Sequence, residues 1–103
     1  MKAPEKEKGA LSDSYRIFET DVFISDFDGL SKNIRDKLRK KLVEHVYLAL
    51  KQQPYFGKNI KKLSNYSPPT WRYRVGDFRV FYTVNDESKI ISILTTSDRK
   101  DAY

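Results

Sequence analysis

The sequence predicts an α+β domain: an antiparallel β-sheet with an N-terminal strand, two helices packed on one face, and a C-terminal three-stranded meander, in the order β-α-α-β-β-β. Three observations predict it. Ile34, Leu38, Leu42, Val46 and Leu50 recur at every fourth position, which is one stripe of an amphipathic helix. Three runs rich in aromatic and β-branched residues crowd the last third of the chain, separated by turn residues. A similar short run, Tyr15-Arg-Ile-Phe-Glu19, precedes the helical region.

The elements follow in order. Tyr15 to Glu19 reads as the first strand. Thr20 is a cap candidate for a helix with Val22, Phe23 and Phe27 on its inner face and Gly29 at its end. Ser31 is a second cap candidate and opens the striped helix, with Lys32, Arg35, Arg39 and Lys40 off the stripe. Pro54 and Gly57 close that helix near Lys51. Residues 52–69 form a polar connection containing Lys58, Lys61, Lys62 and the Pro68-Pro69 pair. Trp71 to Val75 and Phe78 to Val84 flank a Gly76-Asp77 turn, and Lys89 to Thr96 follows a second turn at Asn85-Asp-Glu-Ser88.

A chain of 103 residues has room for one core, and we expect one domain over residues 13–103 behind a disordered tail at 1–12. Met1 to Gly9 has no apolar core of a signal peptide, and no apolar run approaches the ~20 residues that span a bilayer. Cysteine is absent, which excludes disulfides and thiolate metal sites and suits a cytoplasmic location. No cofactor or metal constellation is legible. The net charge of +6, with a pI near 9.5, favours a polyanionic partner.

Where the basic residues sit is more informative. Side chains alternate faces along a strand, so Arg72 and Arg74 share one face while Trp71, Tyr73 and Val75 occupy the other. A two-residue turn at Gly76-Asp77 sets Val75 against Phe78 and Arg74 against Arg79. Three arginines then share one side of a hairpin, and Trp71, Tyr73, Val75, Phe78, Val80 and Tyr82 collect on the core side. Like charges directly opposite destabilise a sheet by up to about 1 kcal/mol. The face therefore either awaits an anion or is an exposed, solvated one. Past the last strand stand Arg99 and Tyr103, guanidinium and aromatic groups of the kind that hold single-stranded RNA.

These residues carry a family resemblance. Gly57-Lys-Asn-Ile-Lys-Lys-Leu63, Trp71-Arg-Tyr-Arg-Val-Gly-Asp-Phe-Arg-Val-Phe-Tyr82 and Asp98-Arg-Lys-Asp-Ala-Tyr103 resemble the pattern of RelE/ParE toxins. The resemblance runs from about Tyr15 to Tyr103. It implies a toxin of a type II toxin–antitoxin system, a ribosome-dependent endoribonuclease that cleaves messenger RNA in the A site and so inhibits translation. The family chemistry turns the ribose 2′-hydroxyl on its own 3′-phosphate and leaves a cyclic phosphate and a 5′-hydroxyl. By motif position, Arg79 matches the arginine that steadies the transition state, and Arg99 the acid or charge clamp. Tyr103 matches the tyrosine that stacks on a base, Arg72 and Arg74 match a basic pair that is often lysine, and Lys58, Lys61 and Lys62 belong to a basic RNA-binding loop. The resemblance also implies an antitoxin partner with an acidic, partly helical segment, beside the ribosome and its message.

Two positions depart from the pattern. Arginine stands where a family lysine acts as general base, and arginine is not deprotonated near neutral pH. Asp98 stands where many members carry histidine. The base is then Asp98, a loop lysine, or absent, with catalysis resting on electrostatics and positioning. His45 reads as a partly exposed structural residue in mid-helix, Asp26, Asp28, Asp86 and Glu87 as helix-end and turn residues, Trp71 as partly buried, and the run Arg35, Lys37, Arg39, Lys40, Lys41 as a solvated helix face. Two further readings share the fold: a ParE-like inhibitor of DNA gyrase, and an inactive member that only binds its antitoxin. Arg99 and Tyr103 speak against the first, and the arginine-for-lysine exchange keeps the second open.

Overall fold

A computed structural model describes residues 14–98. The expected tail, Arg99 and Tyr103 lie outside the described residues, as does the side chain of Asp98.

The first strand, β1 (Arg16–Glu19), leads into α1 (Asp21–Asp28). Thr20 makes the corner: its Oγ1 accepts from Phe23 N, while its N–H and Oγ1 both donate to the carbonyl of Ile93, at 3.1 and 2.8 Å. Phe23 and Phe27 are buried from α1 as expected, but Val22 is 60% exposed. The spacing explains this correction, since Phe23 and Phe27 are four residues apart on one helical face and Val22 stands about 100° round from Phe23.

Ser31 caps α2 (Lys32–Lys41), which passes through a wide π-helical turn (Leu42–Val46) into α3 (Tyr47–Gln52). The wide turn has a cause in the stripe. A four-residue repeat drifts about 40° per step around a straight α-helix, so its later members would leave the core. A turn with more residues per revolution takes up drift where it accumulates, and Leu38, Leu42, Val46 and Leu50 are all at most 2% exposed. Ile34, at the start of the stripe, is half out of the core.

The chain then enters β2 (Ile60–Lys62), a short edge strand inside what sequence alone gives as a loop, and continues through β3 (Trp71–Val75), β4 (Phe78–Asn85) and β5 (Ile90–Asp98). The strand order is β1-β5-β4-β3-β2. The last three strands form the expected antiparallel meander, to which β2 adds an antiparallel fourth. β1 pairs with β5 in parallel, so the sheet is mixed rather than wholly antiparallel. Two helical segments carry the chain from β1 to the far edge, and the meander walks back through three reversals.

The long helix and α1 cover one sheet face, closing a core of Phe23, Leu42, Val46, Leu50, Val80, Tyr82, Ile91 and Ile93. Tyr82 is fully buried, its hydroxyl donating to the Pro54 carbonyl at 2.7 Å, and burial pushes its pKa up. Glu19 fastens β1 to the long helix. It accepts from Arg39 at 2.5 and 3.4 Å and from the Tyr47 hydroxyl at 2.6 Å, and Arg39 lies 4.5 Å from the Phe27 ring centroid. Arg39 thus leaves the solvated basic face expected for its run. Burial and this bond to a carboxylate raise the Tyr47 pKa. Glu19→Ala should lower stability by about 1–3 kcal/mol, because it strands the Tyr47 hydroxyl and the Arg39 fork. Urea unfolding reads this, and a midpoint unchanged from the parent would mean that water replaces the carboxylate.

Asp86, at the β4–β5 turn, accepts from Tyr15 at 2.6 Å and from Tyr55 at 2.5 Å. These hydroxyls hold its carboxyl below the usual range, the Tyr15 bond contributing most. A lowered folded-state pKa stabilises the fold above the unfolded value of about 3.9 and loses that contribution as pH falls towards the folded one. Asp86→Asn should therefore show a shallower loss of stability below about pH 4, which denaturant melts at several acid pH values would reveal.

Candidate RNA-binding and catalytic face

The sheet face turned away from the helices carries the candidate site. Gly76 has φ +56° while Asp77 has no positive φ, the pattern of a two-residue type II′ turn. The register is the one the sequence predicts: Arg74 opposite Arg79 and Val75 opposite Phe78. Val75 is buried on the core side and Arg74 is exposed on the other.

β2 extends this face. Lys61 stands opposite Arg72, whereas Lys62 stands opposite Trp71, with its Nζ 5.8 Å from the indole centroid on the helix side. Lys58 lines a surface hollow with Gln52, Gln53 and Phe56 at the end of the long helix. Of the three loop lysines, only Lys61 therefore joins the arginines. Trp71 is partly buried, stacked on Tyr82 and edge-on to Tyr55. His45 is exposed on the wide helical turn, on the opposite side of the sheet from the arginines.

The face thus holds Lys61, Arg72, Arg74 and Arg79, with two like-charge pairs directly across strands. No ion pair within the described residues involves Lys61, Arg72 or Arg74. The Nε atoms of Arg72 and Arg79 are shielded from solvent, and that of Arg72 has no hydrogen-bond partner among the described residues. A buried, unsatisfied donor costs about 1–3 kcal/mol.

Sequence reasoning missed three contributions. Phe81 lies opposite Arg72 and two residues beyond Arg79, so an aromatic ring stands among the cations; period-two alternation from Arg79 would have found it. A β-bulge at Phe81/Tyr82 shifts the β5 register. Before it Ile91 and Ile93 are buried; after it Thr96 is buried, and Thr95 and Ser97 stand opposite Phe81 and Arg79 on the outer face. Thr96 Oγ1 donates to the Arg79 carbonyl at 3.0 Å and pins the strand there. Asp26 of α1, read from sequence as a helix-end residue, accepts a hydrogen bond from Thr95 Oγ1 at the rim of this face. A helix packed along the outer edge of β5 gives no signal in the local sequence. Asp98 holds the register position opposite Phe78.

Within the described residues no group of histidine, cysteine and acidic side chains could hold a metal ion, and no helix is long and apolar enough to cross a membrane.

Comparison with known proteins bears on the fold. The chain resembles the toxin–antitoxin complex RelBE2 of Mycobacterium tuberculosis, at 22% identity and a TM-score of 0.64 over 84% of this chain and 99% of that one. It resembles the archaeal RelE–RelB complex of Pyrococcus horikoshii OT3 at 25% identity and 0.55, over 86% and 99%. It also resembles the isolated E. coli RelE toxin at 22% identity and 0.58, over 82% and 84%. No curated protein sequence matches the chain. A family model described as "ParE toxin of type II toxin-antitoxin system, parDE" matches residues 9–103, nearly the whole chain, and this chain therefore belongs to the ParE toxin family of the RelE/ParE superfamily.

Proposed function

We propose that this toxin is a ribosome-dependent endoribonuclease that cleaves messenger RNA in the A site, and that it works in the cytoplasm with no cofactor. The observation that carries this reading is the open sheet face on which Lys61, Arg72, Arg74 and Arg79 converge in two like-charge pairs around Phe81. Cations fixed on a strand act without reorganisation where negative charge builds up, as on a phosphorane. An aromatic ring among them offers a base a stacking surface.

In this reading Arg79 steadies the transition state, and Arg72 and Arg74 bind the phosphates with Lys61. Arg99 clamps the leaving side and Tyr103 stacks on a base. Lys58 and Lys62, on the helix side, serve ribosomal RNA rather than the reacting phosphate. The similar structures from M. tuberculosis, P. horikoshii and E. coli include complexes with antitoxins. We infer a cognate antitoxin here too, whose acidic segment neutralises the basic surface.

The family match itself favours a second reading, inhibition of DNA gyrase by a ParE-like toxin. Controlled expression with mapping of messenger RNA 5′ ends separates the two. New ends inside translated codons, absent from Arg79→Ala/Arg99→Ala and absent when translation is blocked, are the expected result. Growth arrest with intact messages and damaged or over-supercoiled DNA would establish the gyrase reading instead.

A further inference from the structure

Among the described residues, the arginine face holds cations for the phosphate, Lys61 among them, and no carboxylate of its own to take the 2′-hydroxyl proton. We infer that Asp26 is that general base, an assignment that rests on the ribonuclease reading above. Thr95 Oγ1 donates to Asp26 Oδ2, and Thr95 is on the outer face in the same cross-strand row as Phe81 and Arg72. Diagonal neighbours on adjacent strands lie roughly 7–8 Å apart at Cα and closer at Cβ, so Thr95 and Arg79 are separated by about the span of one nucleotide. A nucleotide whose phosphate lies on Arg79 and Arg72 is therefore long enough for its ribose to reach the rim where Asp26 sits.

The other carboxylates with partners are engaged elsewhere: Glu19 with Arg39 and Tyr47, Asp36 with Lys32, Asp86 with Tyr15 and Tyr55. The β5 register positions on the arginine face are Thr95 and Ser97; Asp98 stands opposite Phe78. The bulge at Phe81/Tyr82 makes the site, since without it Thr95 would fall in phase with the buried Ile91 and Ile93.

The step balances. One Asp26 oxygen accepts from Thr95 and the other takes the 2′-hydroxyl proton. The 2′-oxygen bonds to the adjacent phosphorus, and the bond from phosphorus to the 5′-oxygen breaks with its electron pair on that oxygen. A proton from solvent or from the Lys61 ammonium completes the 5′-hydroxyl, and Asp26 releases its proton to water.

The test is single-turnover cleavage of a labelled message on programmed ribosomes by the full chain, for the parent, Asp26→Asn, Asp26→Glu and Asp28→Asn. Asp28 is the exposed last residue of the same helix. Asp26→Asn should lose about 10²-fold or more in the rate constant, with the half-saturating toxin concentration and melting temperature near those of the parent. Asp26→Glu should recover part of the loss, and Asp28→Asn should match the parent. The inference is overturned by an Asp26→Asn variant that cuts at the parental rate, or by a loss that tracks unfolding and is not recovered by glutamate. An Asp98→Asn variant that loses the rate while Asp26→Asn keeps it overturns it equally. A parent chain that cuts no message removes the ribonuclease reading itself, and the inference with it.

Discussion

On the ribonuclease reading, Arg79→Ala should slow message cleavage by about 10²–10³-fold, the usual cost of removing one preorganised group at a developing oxyanion, while the protein stays folded. Arg79 lies in mid-strand, and alanine keeps the main-chain bonds of the β3–β4 and β4–β5 ladders and the Thr96 hydroxyl on its carbonyl. Removing the guanidinium also relieves repulsion with Arg74, a gain of up to about 1 kcal/mol that offsets lost contacts. Growth arrest and message cleavage should both disappear, with thermal melting within a few degrees of the parent. Full toxicity in the variant, or loss of toxicity only together with unfolding, would remove Arg79 from the site.

A large loss of stability is expected at Leu42, fully buried where α2 enters the wide turn. Leu42→Ala should cost about 2–5 kcal/mol, the range for leucine truncation in a core. In a domain this small, each kcal/mol moves the melting temperature by roughly 4–8 °C. The same truncation at Val43, 52% exposed one residue on, should cost little. Calorimetry on the two variants tests the face assignment directly. Similar losses at both positions would mean that the turn, rather than the side chain beneath it, carries the stability.

Most of the fold was legible because its signals are local. The cap residues Thr20 and Ser31, the stripe from Leu38 to Leu50, and the Gly76-Asp77 turn each specify an element within a few residues. The hairpin register, and with it the facing arginines, follows from that turn alone. What escaped depends on distant pairing. β2 is three residues long and exists because Lys61 and its neighbours find β3. The parallel place of β1 is decided by β5. The split of the basic loop into Lys61 on one face and Lys62 on the other needs that register. The bulge that turns Thr95 outward, and the helix edge that brings Asp26 to it, have no counterpart in periodicity.

The pairing of the first strand with the last also has a meaning in time. Among the described strands β1 pairs with β5 alone, and Thr20 is tied to a carbonyl 74 residues further along. Chains are made from the N-terminus at about 5–20 residues per second. While the chain is being made, β1 has no neighbour, α1 has no sheet edge to lie on, and the strand that carries Thr95 and Ser97 does not yet exist. The contacts that complete the arginine face thus become available only after β5 has been made. Until β5 is free to fold, Thr95 and Ser97 cannot take their places beside Phe81 and Arg79.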